Sequence, residues 1–132
     1  MPRYVFGTAG FISFGAVTLS TDMRNFDPEE EVGLADASAG NDLARSYLAT
    51  LRDGKATLEL VAVAGATATW NAVAPGTAGT LTWADEGTAT GKPKHSVTAI
   101  VQKRKRQMPY QEVVVYTIDF QFTGAAVTDG TY

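Results

Sequence analysis

The stretch Glu112–Gly124, EVVVYTIDFQFTG, decides the fold class. Val114, Tyr116, Ile118, Phe120 and Phe122 fall at alternate positions and share one face of an extended chain. Val113, Val115, Thr117, Asp119, Gln121 and Thr123 share the other. One apolar face and one milder face make a strand with a single buried side, and Gly124 ends it. Upstream, HSVTAIVQKRKR reads as its partner, with Val97, Ala99 and Val101 on one face. Pro109 lacks a donor for a ladder, so it marks the turn between the two strands. The pair makes a long C-terminal hairpin whose tip carries four cations, Lys103, Arg104, Lys105 and Arg106.

Working outward, GKATLELVAVAG alternates again, with Ala56, Leu58, Leu60 and Ala62 on one face. FGAVTLSTDM, TATWNAV and GTLTWADEG read as further strands, the last two anchored by Trp70 and Trp83. Leu58, Leu60, Tyr116, Ile118, Phe120 and Phe122 are the expected core. One segment reads as helix: AGNDLARSYLATLRDG, with Asn41 or Asp42 as cap, a stripe of Leu43, Tyr47, Leu48 and Leu51, and Gly54 as stop. Residues 24–40, acidic and rich in small side chains, read as a long loop suited to assembly. Residues 1–12 read as an N-terminal arm and residues 124–132 as a peripheral tail. The expected fold is mainly β, α+β by strict count. It is an antiparallel β-sandwich or partly open barrel with one short flanking helix, a long loop between early strands and the long C-terminal hairpin.

The chain has 132 residues, enough for one domain with its own core. It contains no cysteine, which removes disulfides, thiolate metal sites and cysteine nucleophiles. The apolar N-terminal stretch is broken by Gly7, Gly10, Ser13 and Gly15, so it does not read as a signal peptide, and a cytosolic location when made is expected. Net charge is −3 but unevenly spread, with an acidic knot at Glu29–Glu31 and the basic knot at Lys103–Arg106. Separated patches of opposite sign suit head-to-tail self-association.

Chemistry is hard to place. His95 is the lone histidine and has no partner at metal-ligand spacing. No serine sits in a nucleophile elbow, and no glycine run has phosphate-binding spacing. DPEEE lacks the alternation and turn glycine of a calcium loop. No enzyme activity, metal or cofactor is expected. The basic run could grip phosphate, with Tyr110 stacking on a base. Against this, the whole chain is acidic, and strand alternation sends Lys103 and Lys105 one way and Arg104 and Arg106 the other. A protein contact is favoured over a nucleic-acid grip or a plain solvated tip.

Two stretches carry a family likeness. YLATLRDGKATLEL, from Tyr47 to Leu60, resembles the helix-to-strand junction of the tail tube proteins, or major tail proteins, of long-tailed bacteriophages. VVVYTIDFQFTGAAV, from Val113 to Val127, resembles that family's closing strand. The ring-forming tube protein of type VI secretion shares the architecture. The resemblance implies rings, usually hexameric, whose sheets join into a barrel lining a channel. The rings stack into a tube around a tape-measure protein, bounded by tail terminator and tail tip proteins. Double-stranded DNA then passes without specific binding, and the finished location is the virion tail. Under this reading Thr117, Asp119, Gln121 and Thr123 are candidates for the lumen face, which should be neutral or acidic so that phosphate is not held. Asp27, Glu29, Glu30 and Glu31 are candidates to meet Lys103, Arg104, Lys105 and Arg106 of a neighbouring copy. The competing readings are a tail terminator, a capsid decoration protein or a monomeric β-sandwich binding module.

Overall fold

A computed structural model describes residues 10–15, 17–19, 23–41, 43–62, 67–124 and 126–132. The elements are β1 (Phe11–Phe14), β2 (Val17–Thr18), β3 (Met23–Asp36), β4 (Tyr47–Val61), α1 (Ala68–Ala72), β5 (Ala78–Ala84), β6 (Pro93–Gln107), β7 (Val115–Phe122) and β8 (Thr128–Thr131). All strands join one antiparallel sheet in the order β2-β1-β5-β6-β7-β4-β3, with β8 added to β6. The sheet coils on itself without closing. Phe26 of β3 reaches Trp83 of β5, ring centroids 5.5 Å apart, and Phe14 of β1 meets Phe120 of β7 at 5.1 Å. Strands far apart in sheet order thus touch across one core, which is the partly open barrel that the alternation implied.

That core is built from the apolar face of each strand. Ile12, Leu58, Leu81, Ala99, Ile118 and Phe120 are fully buried, with Leu60, Val101 and Tyr116 nearly so. Phe122 is half-buried and packs against this cluster. The register explains the assembly: Leu58 lies opposite Ile118, Leu60 opposite Tyr116 and Val101 opposite Phe120, so the buried residues of β4, β6 and β7 form continuous rows. Trp83 stacks on Phe122 at 5.9 Å, at the end of these rows.

Several sequence expectations are corrected. The helix expected from Asn41 to Gly54 is absent; Tyr47–Val61 is β4, antiparallel to β3. Positions 43, 47, 48 and 51 do fit a helical stripe, but the body offers that stripe no surface. All four side chains are exposed, and the backbone finds its partners in β3, with Leu34 opposite Ala49 and Asp36 opposite Tyr47. Residues 24–40 are accordingly mostly strand rather than loop. Their acidity misled because both faces of this part of the sheet are open to water, so no alternation is required. The short helix lies instead within TATWNAV, at Ala68–Ala72, where a strand was expected. The tail after Gly124 returns as β8, pairing with Pro93–Ser96 of β6. Residues 1–9 of the expected N-terminal arm lie outside the described residues, and the arm's last residues belong to β1, with Ile12 in the core.

Candidate assembly surfaces

Two faces and two projections of this sheet are available to partners. The first is the polar face. Cross-strand neighbours share a face, so the register writes its rows directly. Lys103, Asp119, Thr57 and Asp27 make one row across β6, β7, β4 and β3; Lys105, Thr117, Glu59 and Asn25 make the next. Ile100, Gln121, Lys55 and Glu29 make a third. Thr57 Oγ1 donates to Asp119 Oδ1 at 3.1 Å, and Gln121 Nε2 donates to Asp53 Oδ1 at 2.6 Å and to the Gly54 carbonyl at 2.9 Å. Arg24 lies 3.7 Å from Glu59. Thr123 stands past the end of β7, its amide donating to the Thr98 carbonyl at 2.9 Å. These rows hold Asp27, Glu29, Glu59 and Asp119 against Lys55, Lys103 and Lys105, and the next pair outward, Glu31 opposite Asp53, adds two acids, so the face is acidic on balance even with Arg24 counted.

The basic knot is divided by a feature absent from simple alternation. Between Val101 and Lys103 the β6 register slips by a bulge. An extra residue in one strand reverses the inside–outside phase beyond it. Val101 faces the core, yet Arg104 lies opposite Ile118 and Arg106 opposite Tyr116, on the same side. There Arg104 Cζ sits 4.0 Å from the Trp70 ring centroid, and Arg104 Nη1 donates to the Trp70 carbonyl at 2.7 Å. Arg106 Cζ lies 5.3 Å from the Tyr116 ring, and Trp70 packs on Tyr116 at 4.7 Å. The two arginines therefore fasten α1 over the open end of the core. Of the four cations in the run, Lys103 and Lys105 are the two on the polar face. The run lies within β6, short of the turn it was expected to cap, and the connection proper is Met108–Val114.

The first projection is the outer part of the β3–β4 hairpin. Beyond the Glu29–Lys55 pair every residue of β3, and every residue of β4 except Gly54, is exposed. Gly54 is required at this exit: a Cβ there would overlap the Phe122 ring and stand 2.9 Å from the Glu29 carbonyl. At the far end Ser46 N donates to Ser38 Oγ at 2.6 Å and Ala37 N to the Ser46 carbonyl at 2.8 Å, closing the arm. Asp36 Oδ1 accepts from Ser38 N at 2.9 Å, and this backbone bond, followed by the Ser38 hydroxyl, holds the Asp36 carboxyl below the usual carboxylate range. A groove of about 370 Å³ runs along the arm's base between Glu30, Leu51, Arg52, Phe122 and Val127. The second projection, Met108–Val114, turns through Gln111 in the left-handed region at φ 60°.

Among the described residues the sheet path ends at β2 and β3, each with one unpaired edge, and β8, paired only with β6, has another. Pro28 and the acids around it guard β3 against indiscriminate pairing. His95 pairs with Asp129, Nδ1 to Oδ1 at 2.6 Å, and stacks on Trp83 at 5.7 Å, which ties β8 to β6. Among the described residues no group of three or more His, Asp or Glu side chains is placed to hold a metal ion.

No family model and no curated protein matches the sequence. Solved structures do match, over nearly the whole chain. A chain of the native gene transfer agent virion superposes with a TM-score of 0.75 at 10% identity, covering 95% of this chain and 98% of that one. The SPP1 tail tube protein gives 0.74 at 10% identity, covering 98% and 80%. The fold is that of a tail tube protein. The tube-terminating cap of the anti-feeding prophage shares it, with a TM-score of 0.70 at 14% identity over 100% of this chain and 95% of the other. In this tail tube fold the exposed β3–β4 arm and the basic residues of β6 are the parts that sequence reasoning placed least well.

Proposed function

We propose that the protein is a structural subunit of a phage-type tail tube. It polymerises through six-membered rings that stack around a channel for genome delivery, and it has no catalytic role. The observation that carries this reading is the likeness to tube proteins across nearly the whole length of the chain. Two features support it. The free edges of β2 and β3 suit strand pairing between neighbouring subunits, which would join their sheets around a ring. Among the described residues the outer part of the β3–β4 arm is exposed on both faces.

Within the ring, the face of Thr117, Asp119, Gln121 and the nearby Thr123 lines the channel. Its acidic balance repels phosphate, and the three lysines on it, Lys55, Lys103 and Lys105, are offset by acids in the same rows, so DNA passes without being held. The inter-ring contact places Asp27 and Glu29–Glu31 of one copy toward Lys103 and Lys105 of another, with Arg104 and Arg106 supporting that surface from within. Its partners are further copies of itself, a tape-measure protein inside the growing tube, and terminator and tip proteins at its ends. It is assembled in the host cytoplasm and ends in the virion tail.

Sedimentation of the purified chain over a range of concentrations tests the reading. Large assemblies should form and weaken as salt screens the exposed charge pairs. A monomer at every concentration and salt overturns it. The likeness to a tube-terminating cap favours a second reading, a terminator, which would yield single rings that do not stack.

A further inference from the structure

The chain contains two Asp-Gly steps, Asp53–Gly54 and Asp129–Gly130. At such a step the glycine amide nitrogen can attack the aspartyl side-chain carbon, because glycine has no Cβ to block the approach. Folding decides whether the attack is open. It needs that amide out of the ladder and the carboxyl held beside it. The structure treats the two steps in opposite ways.

Gly54 stands where β4 and β7 part. Among the described residues the β4–β7 pairing ends at Lys55 and Gln121. The N–H and C=O of one residue in an antiparallel strand point to the same side, and the Gly54 carbonyl accepts from Gln121 Nε2 at 2.9 Å. The Gly54 amide therefore also points away from β3, into the lane that β7 has left. There Gly54 N donates to Asp53 Oδ1 at 2.9 Å, which sets the carboxyl against the amide that would attack it. Gln121 Nε2 donates to the same oxygen at 2.6 Å. A donor already on Oδ1 stabilises the negative charge that develops there as the carbon becomes tetrahedral. Asp53 is exposed and borders the groove beside Phe122 and Val127, so water reaches the product.

The second step is guarded against this chemistry. Asp129 Oδ1 pairs with His95 Nδ1 at 2.6 Å. Tyr132 N donates to the Lys92 carbonyl at 3.0 Å, and Gly130 lies opposite Lys94. Hydrogen-bonded pairs alternate along antiparallel strands, so Lys94 and Gly130 form the next one, and the Gly130 amide is committed to the ladder.

We propose that Asp53–Gly54 is a site of spontaneous isoaspartate formation, prepared by the fold. Gly54 N loses its proton and bonds to Asp53 Cγ. The C–OH bond of the carboxylic acid breaks and one water leaves, giving a cyclic succinimide. Water then adds at the Asp53 main-chain carbonyl carbon, and its bond to Gly54 N breaks. The net change is an isomerisation that needs no oxidant, reductant or cofactor. The main chain now runs through Cγ and is one carbon longer where the β3–β4 arm leaves the body, with the α-carboxylate set free. A Cβ at Gly54 would already overlap the Phe122 ring and stand 2.9 Å from the Glu29 carbonyl, so the extra carbon displaces the root of the arm. The exposed α-carboxylate is the group that an isoaspartyl methyltransferase recognises. None of this depends on the tube reading.

The full-length chain, held for weeks at physiological temperature, tests the inference. Peptide mapping with an isoaspartyl methyltransferase as probe reads the product. In the folded chain Asp53 should convert at least as fast as in a synthetic peptide of residues 50–57. Asp129 should convert about tenfold slower than in a peptide of its own surroundings, as expected when the ladder protects one amide and not the other. In urea the two steps should convert at similar rates. Gln121→Ala, with unchanged circular dichroism, should slow conversion at Asp53 by about threefold or more, because a donor to the developing charge is gone. Equal conversion of the two steps in the folded chain, slower conversion of Asp53 than of its peptide, or an undiminished rate in Gln121→Ala overturns the inference.

Discussion

Arg104→Ala should destabilise the folded chain by about 2 kcal/mol, whereas Lys103→Ala, one residue away, should stay within about 0.5 kcal/mol. The difference follows from the bulge. Arg104 donates a 2.7 Å hydrogen bond to the Trp70 carbonyl, and its Cζ sits over the Trp70 ring 4.0 Å from the centroid. A hydrogen bond from a charged donor contributes about 1.5–3 kcal/mol. A cation over an indole contributes about 0.5–2 kcal/mol depending on exposure. Arg104 is only half-buried, so the lower ends apply. Arg104→Lys should recover little, because an ammonium group does not reproduce the planar stacking. Urea unfolding followed by tryptophan fluorescence reads the result: with a slope of about 2 kcal/mol per molar urea, the midpoint should fall by about 1 M. A double-mutant cycle with Trp70→Ala isolates the ring contact, because the hydrogen bond to the Trp70 backbone carbonyl survives that substitution, and the coupling should be about 0.5 kcal/mol or more. Equal midpoints for Arg104→Ala and Lys103→Ala, or a coupling near zero, would refute the assignment of Arg104 to the fold.

Gly54→Ala should cost about 1–3 kcal/mol, since the added methyl meets the Phe122 ring and the Glu29 carbonyl where the arm leaves the body; thermal unfolding measures it, and assembly should fall with it because the arm is redirected. Leu58→Ala, at a fully buried position opposite Ile118, should cost about 2–5 kcal/mol in the same assay with no specific effect on the contacts between copies. The turn at the arm's end should depend on pH through Asp36. Its carboxyl is held low by the Ser38 amide, so its stabilising effect is complete above the ordinary carboxylate range and disappears as pH falls through the lowered value. Amide exchange at Ser38 should therefore speed up only under strongly acid conditions, and Asp36→Asn should remove that dependence.

The body of this fold was legible in the sequence because its main strands, the inner half of β4 with β5 and β7, bury one face. Val114 to Phe122 and Ala56 to Leu60 alternate as water on one side and core on the other require. The arm was not legible for the same reason in reverse. From Glu29 to Arg52 neither face is buried, so nothing enforces a period of two, and Leu43, Tyr47, Leu48 and Leu51 matched a helix by spacing alone. The cations needed a second piece of information. Alternation separated Lys103 and Lys105 from Arg104 and Arg106, but the bulge after Val101 decides which pair turns inward, and bulges leave no reliable mark in one sequence. Trp70 and Tyr116, the residues that hold the arginines, were visible as aromatics without any sign that they would meet. A five-residue helix at Ala68–Ala72 is likewise too short to show a stripe.

The central claim is that this chain builds a hollow tube lined by the polar face of its sheet. Electron microscopy of the purified, assembled protein, averaged along the axis, tests it most directly. The account predicts stacked rings with an open channel, the Thr117–Asp119–Gln121 face turned inward and the β3–β4 arm crossing to the adjacent ring. Compact monomers at high concentration, or rings with that face turned outward, would contradict it.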